Sequence, residues 1–330
     1  MNSWKQIHVA SAVRALSHAR LRNYRTFFAA ADDRAAYGLY CWNEAISSAL
    51  SKVLAFTEIA LRNQFHAALS SRYGVGTTLS RDWYAHLRLN QKSADSVRKI
   101  THGRRRVGGA FQLVPRTPAP SPDDVVSKLT FGFWPHILDV THDNGNQALD
   151  WSAILVDVAP GHRHSSNAFW SRQKHRDALF ARIDFCKDLR NRIAHLEPVW
   201  KAGPLMTEGR PRTGVVIRVE HSAPSTPGEA LSRLQTGYDR VLDLLKWLSP
   251  DLHNVYMAGE GHPRFTGLNQ IPALEAYKRH GGHRRVAPVD LNAHRSLRRL
   301  KKEFRNMSPR HGAAEVCHNG RPIAWWIPIG

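Results

Sequence analysis

The sequence predicts an all-α protein, a helical bundle with long loops and a small basic C-terminal extension that ends in a β-hairpin. Three amphipathic segments carry this prediction, at about residues 8–72, 170–196 and 227–247. In each segment apolar residues recur at steps of three and four, which places them on one face of a helix. Hydrophobic residues make up 42% of the chain, which is enough for a core and excludes a mainly disordered chain.

The first segment predicts one long helix, or two with a break, over residues 32–72. No proline interrupts this stretch, and the helix is expected to stop near Gly74. Residues 101–123 contain four prolines and three adjacent arginines, and they predict a loop. Asp123-Asp124 can then cap a short helix over about residues 125–129.

The second and third segments predict the two clearest helices. The helix at about 170–196 is expected to end before Pro198, and its apolar stripe consists of Leu179, Ile183, Cys186, Leu189 and Ile193. The helix at about 227–247 is closed by Ser249-Pro250-Asp251. Residues 200–228, which lie between the two, are rich in proline and glycine and predict an insertion with one β-like run.

We place a domain boundary after the third helix, so that residues 1–251 form the helical domain and residues 252–330 a basic extension. Between residues 279 and 310 there are ten Lys or Arg residues against two acidic ones, and a basic helix is predicted at 291–304. Residues 314–328 predict two short strands, because His318-Asn319-Gly320-Arg321 has the composition of a hairpin turn.

The formal net charge of +20 indicates a polyanionic partner, since charge determines association rather than fold. Arginine outnumbers lysine almost threefold. Guanidinium groups bind phosphate bidentately and stack on bases, which favours nucleic acid over an anionic membrane or an acidic protein. A GC-rich genome explains the ratio of arginine to lysine equally well, but it does not explain the net charge.

Several classes of protein are excluded by what the sequence lacks. No apolar run approaches the ~18 residues of a membrane-spanning helix, and no signal-peptide pattern opens the chain, so we expect a cytoplasmic protein. The three cysteines lie far apart and fit a reducing compartment. There is no phosphate-binding loop, and the close pair His162 and His164 lacks the spacing of a metal site. We therefore expect no cofactor and no metal.

The candidate for chemistry is the segment Leu189-Arg190-Asn191-Arg192-Ile193-Ala194-His195-Leu196-Glu197-Pro198. At about 100° per residue, Arg190, Asn191 and His195 fall on one side of the helix, while Leu189, Ile193 and Leu196 fall on the other. An imidazole can transfer a proton and a guanidinium can stabilise charge on phosphate oxygens, so the three suit work on a phosphodiester without a metal. Alternatively, they form an ordinary solvated face near a helix C-terminus, where positive charge is favoured.

The segment from Arg190 to Pro198 resembles the R-N-x-x-x-H signature of HEPN-domain ribonucleases, in the form found in bacterial Abi-like (abortive infection) proteins. Four further segments are similar to segments of that family and follow in the expected order. They are residues 36–44 (AYGLYCWNE), 58–63 (EIALRN), 127–134 (SKLTFGFW) and 247–250 (WLSP). Together the resemblance covers roughly residues 14–251.

The resemblance implies a helical HEPN bundle that acts as a homodimer and cleaves RNA without a metal, with the 2′-hydroxyl as nucleophile and a 2′,3′-cyclic phosphate as product. His195 would transfer the proton, Arg190 would stabilise the transition state and Asn191 would position one of them. Glu58, Arg62 and Asn63 would neighbour the site. The alternative for Glu58 and Arg62 is a structural ion pair, since they are four residues apart on a helix.

Two further basic segments are candidates for RNA binding: Arg104, Arg105 and Arg106 in the predicted loop, and Arg298, Arg299, Lys301 and Lys302 in the predicted basic helix. Their alternatives are a solvated loop and a helix docked on the main body. The expected function is an endoribonuclease that acts in phage defence or as a toxin. Two alternatives remain open: a catalytically silent protein that holds a structured non-coding RNA, and the HEPN toxin of a toxin–antitoxin pair.

Overall fold

The structure, a computed structural model, describes residues 3–77, 79–107, 110–280, 289–290, 302, 314–318 and 321–326. The described ranges hold thirteen α-helices and only short strands. A mostly helical fold is therefore confirmed. The helices are α1 (Ser3–Leu16), α2 (His18–Phe27), α3 (Asp33–Ser70), α4 (Gln91–Thr101), α5 (Pro122–Lys128), α6 (Trp134–Ile137), α7 (Trp151–Val158), α8 (Asn167–Trp170), α9 (Gln173–Ala194), α10 (Pro227–Leu248), α11 (Pro250–Ala258), α12 (Gly261–Leu268) and α13 (Ile271–His280).

Helix α3 lies at the centre of the molecule. The first predicted segment forms this one unbroken helix of 38 residues, and Asp32 caps it by accepting the N–H of Ala35 at 2.8 Å. Its apolar residues extend around most of its circumference, because α1, α2, α7 and α9 to α13 all pack against it. The fully buried ones include Leu39, Trp42, Ile46, Leu50, Val53, Leu61 and Phe65.

The strands form four small sheets. Their bounds are β1 (Gly76–Thr77), β2 (Ser80–Arg81), β3 (His102–Val107), β4 (Ala110–Pro115), β5 (Leu205–Met206), β6 (Val219–His221), β7 (Val289–Asp290), β8 (Ala314–His318) and β9 (Arg321–Trp326). Strands β1–β2, β3–β4, β5–β6 and β8–β9 pair antiparallel, and β7 pairs with β8 in parallel. The predicted C-terminal hairpin is confirmed by β8 and β9.

The prediction of a loop at 101–123 is wrong. Residues 102–107 and 110–115 form an antiparallel ribbon with all six residue pairs in register. Two β-forming runs separated by Gly-Gly are a hairpin signal. The four prolines in the same stretch indicated a loop instead. They lie at or beyond the end of β4, where they do not interrupt the pairing. The short helix that follows is capped by Ser121 rather than by the two aspartates.

The helix predicted at about 227–247 is confirmed as α10, whereas the one predicted at about 170–196 differs from the structure in its limits. The segment at 170–196 is divided into α8 and α9 at residues 171–172, and α9 ends at Ala194. The β-like run predicted at 215–219 contributes only its last residue to β6, which pairs with β5.

The insertion at 200–228 is fixed to the bundle by ion pairs. Arg182 of α9 binds Glu208, Arg240 of α10 binds Glu220, and Arg212 binds Asp177 of α9. Arg182 and Arg240 are only 8% and 7% exposed, so these pairs are largely removed from water. Removing one partner of such a pair leaves a buried charge uncompensated.

The boundary predicted at residue 251 does not coincide with an edge of the core. Helices α11, α12 and α13 follow it and pack on α3, and Phe265, Leu268 and Leu274 belong to the same apolar core as α3 itself. The indole N–H of Trp42 donates to the carbonyl of Leu268 at 2.9 Å, which ties α12 to the central helix. The basic helix predicted at 291–304 lies outside the described residues, apart from Lys302.

No helix in the described ranges is both long enough and apolar enough to cross a membrane.

Gly161 allows the segment after α7 to pass directly beside α10. Its N–H donates to the carbonyl of Trp247 at 2.9 Å. A Cβ at this position would lie 2.1 Å from the carbonyl oxygen of Lys246 and 2.7 Å from the ring of Pro250. These are backbone and ring atoms that cannot rotate away, so only glycine fits.

We expect Gly161→Ala to lower the free energy of unfolding by roughly 1–3 kcal/mol, the usual cost of overpacking. Urea unfolding followed by circular dichroism measures it. Gly203→Ala is the matched control, because a Cβ there meets no atom within 4 Å. Equal stability of the two variants would contradict this packing.

Candidate functional site

The motif residues lie at the C-terminal end of α9. Residue His195 is the C-cap, and the N–H groups of Leu196 and Glu197 donate to the carbonyls of Ile193 and Arg192, each at 2.9 Å. These two hydrogen bonds close the helix as a Schellman motif. Leu196 adopts φ 56°, in the left-handed region that favours glycine.

The helix end turns Leu196 outward. Its side chain is 53% exposed, so the prediction that it shares the apolar face with Leu189 and Ile193 is wrong. The reason is that α9 stops at Ala194, and helical spacing no longer applies beyond that residue. Leu189 and Ile193, which lie inside the helix, do pack against the core.

Arg190 lies beside Glu58 of α3 and contacts Asn191. The Arg190 Nε lies 3.9 Å from Glu58 Oε2, and an Arg190 Nη donates to Asn191 Oδ1 at 3.4 Å. On the other side of the carboxylate, Arg62 donates to Glu58 Oε1 at 2.9 Å. We name Glu58, Arg62, Arg190 and Asn191 the Glu58 cluster. One carboxylate lies between two guanidinium groups there, so the cluster keeps a surplus of positive charge.

Arg62 also fixes α5 to the central helix. It donates to the carbonyl of Ser127 at 2.7 Å, while its Nε is buried without a hydrogen-bond partner. Sequence reasoning places Arg62 near the motif through resemblance, but it misses Ser127. A backbone carbonyl that accepts a bond has no signal in residue types.

A second neighbour that sequence reasoning misses is Arg20 of α2. Its guanidinium donates to the carbonyl of Leu196 at 3.0 Å, from a position 176 residues earlier in the chain. An exposed arginine in an arginine-rich chain carries no signal of this contact. It adds a third cation at the end of α9.

The motif residues face solvent rather than the core. The side chain of Arg190 is 47% exposed, His195 is exposed and Asn191 is half-buried. Within the described part of the chain, the His195 imidazole makes no hydrogen bond, so both ring nitrogens are open to a ligand. The Arg190 guanidinium and the His195 imidazole are therefore both accessible to a ligand from solvent.

The remaining predicted site residues are Asn63, the arginines of β3 and the basic residues near the C-terminus. Asn63 is exposed on α3 and makes no side-chain hydrogen bond within the described ranges. Arg104, Arg105 and Arg106 are exposed on strand β3. Arg298, Arg299 and Lys301 lie outside the described residues, and Lys302 is exposed.

The close pair His162 and His164 is part of an aromatic cluster. The His162 ring lies 4.8 Å from that of Phe169, 5.1 Å from Trp170 and 4.7 Å from Trp247, measured between centroids. Its Nδ1 accepts the N–H of His164 at 3.2 Å and is therefore unprotonated. Among the described residues, no three His, Cys, Asp or Glu side chains come together to hold a metal ion.

Burial shifts the pKa values of His162 and Cys186. It lowers the pKa of His162 to about 4, with the positive charges of His164, Arg163, His175 and Arg182 adding to the effect. It raises the pKa of the Cys186 thiol to about 12, so this cysteine on the inner face of α9 is an unreactive core residue.

Comparisons with protein-family models, with curated proteins and with solved structures returned no match to this chain.

We expect His162→Phe to flatten the acid side of the stability profile. In the folded protein His162 binds its proton only near pH 4, whereas the unfolded chain binds it near the ordinary value of 6.5. Its contribution is therefore complete above pH 6.5 and is lost as the pH falls toward 4. Urea unfolding of both proteins between about pH 7 and pH 5 measures the slope. His221→Phe, at an exposed histidine, should leave the slope unchanged; a His162→Phe slope equal to that of the wild type contradicts the argument.

Proposed function

We propose that this protein is a metal-independent endoribonuclease of the HEPN, Abi-like kind, acting in phage defence by abortive infection or as a toxin. One observation carries the proposal. The segments that resemble this family are far apart in sequence, and their polar residues Glu58, Arg62 and Arg190 meet in one charged cluster. A chance resemblance gives no reason for them to meet.

The chemistry assigned to the motif needs only side chains. The 2′-hydroxyl of the substrate attacks the adjacent phosphorus, the bond to the 5′-oxygen breaks, and a proton moves from the nucleophile to the leaving oxygen. His195 transfers a proton, because its imidazole is exposed and free of hydrogen bonds in the described residues. Arg190 stabilises the charge that develops on the phosphate oxygens, and Asn191 positions Arg190, with which it is in contact.

The proposal includes a homodimer. Cleavage of this type needs one group to accept a proton and another to donate one, and a single chain offers one imidazole at the motif. Arg190 and His195 lie on the surface, where a second copy can reach them. His195 of each copy then supplies one of the two proton-transfer groups, in a cleft between the copies.

We expect Arg190→Ala and His195→Ala each to lower the rate of RNA cleavage at least about 100-fold, the lower end of the effect of a general acid–base group. Purified proteins are incubated with total RNA in the presence of EDTA, and the new ends are analysed for 2′,3′-cyclic phosphate. Lys174→Ala on the same helix and His221→Ala are matched controls, because both residues are exposed and lie outside the cluster.

Cleavage by both variants at the wild-type rate contradicts the assignment of the site. If wild-type protein instead purifies with intact RNA in stoichiometric amount and cuts none, the protein is the silent RNA-binding alternative. If expression of the wild-type protein arrests growth and expression of the His195→Ala variant does not, the result favours a toxin function.

Glu58 distinguishes a site neighbour from a structural ion pair. We expect Glu58→Gln to lower cleavage about tenfold and also to lower the free energy of unfolding, since the side chains of Glu58 and Arg62 are only 17% and 20% exposed and the amide leaves the Arg62 charge uncompensated. The amide keeps the shape of the side chain but no longer holds both guanidinium groups by charge. Cleavage assays and urea unfolding of the same preparation measure the two effects. Unchanged cleavage together with lower stability means that the pair is structural.

A further inference from the structure

The antiparallel ribbon of β3 and β4, which we name the arm, projects its side chains into solvent on both faces. Most of its described residues are exposed, including Phe111 at 68% and Leu113 at 49%. At about 3.3 Å per residue the six paired residues span about 20 Å. An isolated two-stranded ribbon is only marginally stable in water, so an exposed arm of this length indicates a binding role.

The register of the arm defines a mixed basic and apolar face. Arg104 is opposite Leu113 and Arg106 is opposite Phe111, and residues directly opposite each other share a face. The guanidinium of Arg104 lies over the Phe111 ring, 5.4 Å from its centroid. Arginine interleaved with an exposed aromatic ring is the combination that binds phosphates and stacks unpaired bases.

A groove of about 870 Å³ lies at the base of the arm. Arginines from three different elements line it: Arg88 from the segment before α4, Arg98 from α4 and Arg116 from the end of β4. Its apolar wall includes Leu89 and Val97. The volume lies in the range of sites for small ligands, about 300–1,000 Å³, so the groove is large enough for unpaired nucleotides.

The base of the arm is held rigidly against α4. The N–H of Arg116 donates to the carbonyl of Thr101 at 3.0 Å, and its Nε donates to the carbonyl of Ile100 at 2.9 Å. The two remaining Nη groups of this guanidinium make no hydrogen bond in the described ranges. The arm and the groove therefore keep a fixed relation to each other.

The region around the arm and the groove carries an excess of basic residues. From residue 96 to residue 122 there are six Lys or Arg residues and no Asp or Glu. Within the described part of the chain, Arg88, Arg98, Arg104, Arg105 and Arg116 form no ion pair. Two carboxylates also line the groove, those of Asp82 and Asp95, so its three arginines exceed its acidic groups by one.

We infer that the arm and the groove at its base form a binding site for single-stranded nucleic acid, separate from the Arg190–His195 motif. The arginines of the arm contact the phosphates, the Phe111 ring stacks on a base, and the groove takes the neighbouring nucleotides. A flat anionic membrane cannot enter a concave groove, and the bases of a duplex are hidden from Phe111. The site does not depend on whether the motif cleaves RNA.

Binding is measured by fluorescence anisotropy with a labelled single-stranded RNA and with DNA of the same sequence, and His195→Ala is the background in every protein so that no strand is cut. We expect Arg104→Glu/Arg105→Glu to weaken binding at least about tenfold and to reduce the slope of log K against log salt by about 1.4, the value for two lost phosphate contacts. Phe111→Ala should weaken binding about five- to 100-fold with little change in that slope.

Arg34→Glu/Lys174→Glu is the matched control, because it changes the net charge equally at two exposed residues that lie on other helices. Circular dichroism melting verifies that all the variants are folded. Arm variants that bind as tightly as this control overturn the inference. So does equal affinity for an RNA duplex of the same sequence, and so does binding to vesicles containing phosphatidylserine with none to the single strands.

Discussion

The packing of helices around most of α3 is the constraint on which the rest of the structure depends. A helix of 38 residues with apolar side chains around most of its circumference is stable in water only when neighbours cover it. Helices from both ends of the described chain do so, from α1 to α13. The same helix carries Glu58 and Arg62, so the helix that organises the core also positions half of the Glu58 cluster.

Two groups of arginines in this basic protein differ in their surroundings. Arg182, Arg212 and Arg240 form ion pairs that attach the insertion to α9 and α10, and two of them are largely buried. Arg104 and Arg105 of the arm face solvent, and neither they nor the arginines of the groove form an ion pair in the described ranges. Charge of the first kind holds the fold together, whereas charge of the second kind is available to an anionic ligand. Composition alone cannot separate the two.

The motif depends on how α9 ends. The Schellman turn places His195 at the cap and gives Leu196 a left-handed backbone, so both side chains leave the helix toward solvent. Arg20 then reaches the carbonyl of Leu196 from α2. A motif identified from helical spacing is thus completed by residues from three helices, and the proposed ribonuclease activity depends on that assembly.

The sequence by itself determined the helical class, the long helix α3, the positions of α9 and α10 and the C-terminal hairpin, because periodicity and turn composition are local properties. It also singled out Arg190, Asn191 and His195 from a local segment. Tertiary structure decided what depends on contacts between distant residues: the packing of α11 to α13 on α3 beyond the predicted boundary, and the pairing of Arg62 with Ser127. It also decided the pairing of β3 with β4, where the local signals conflicted, since proline indicated a loop and Gly-Gly a hairpin. Strand pairing resolved that conflict, because backbone hydrogen bonds between two runs are made only when both are present and in register.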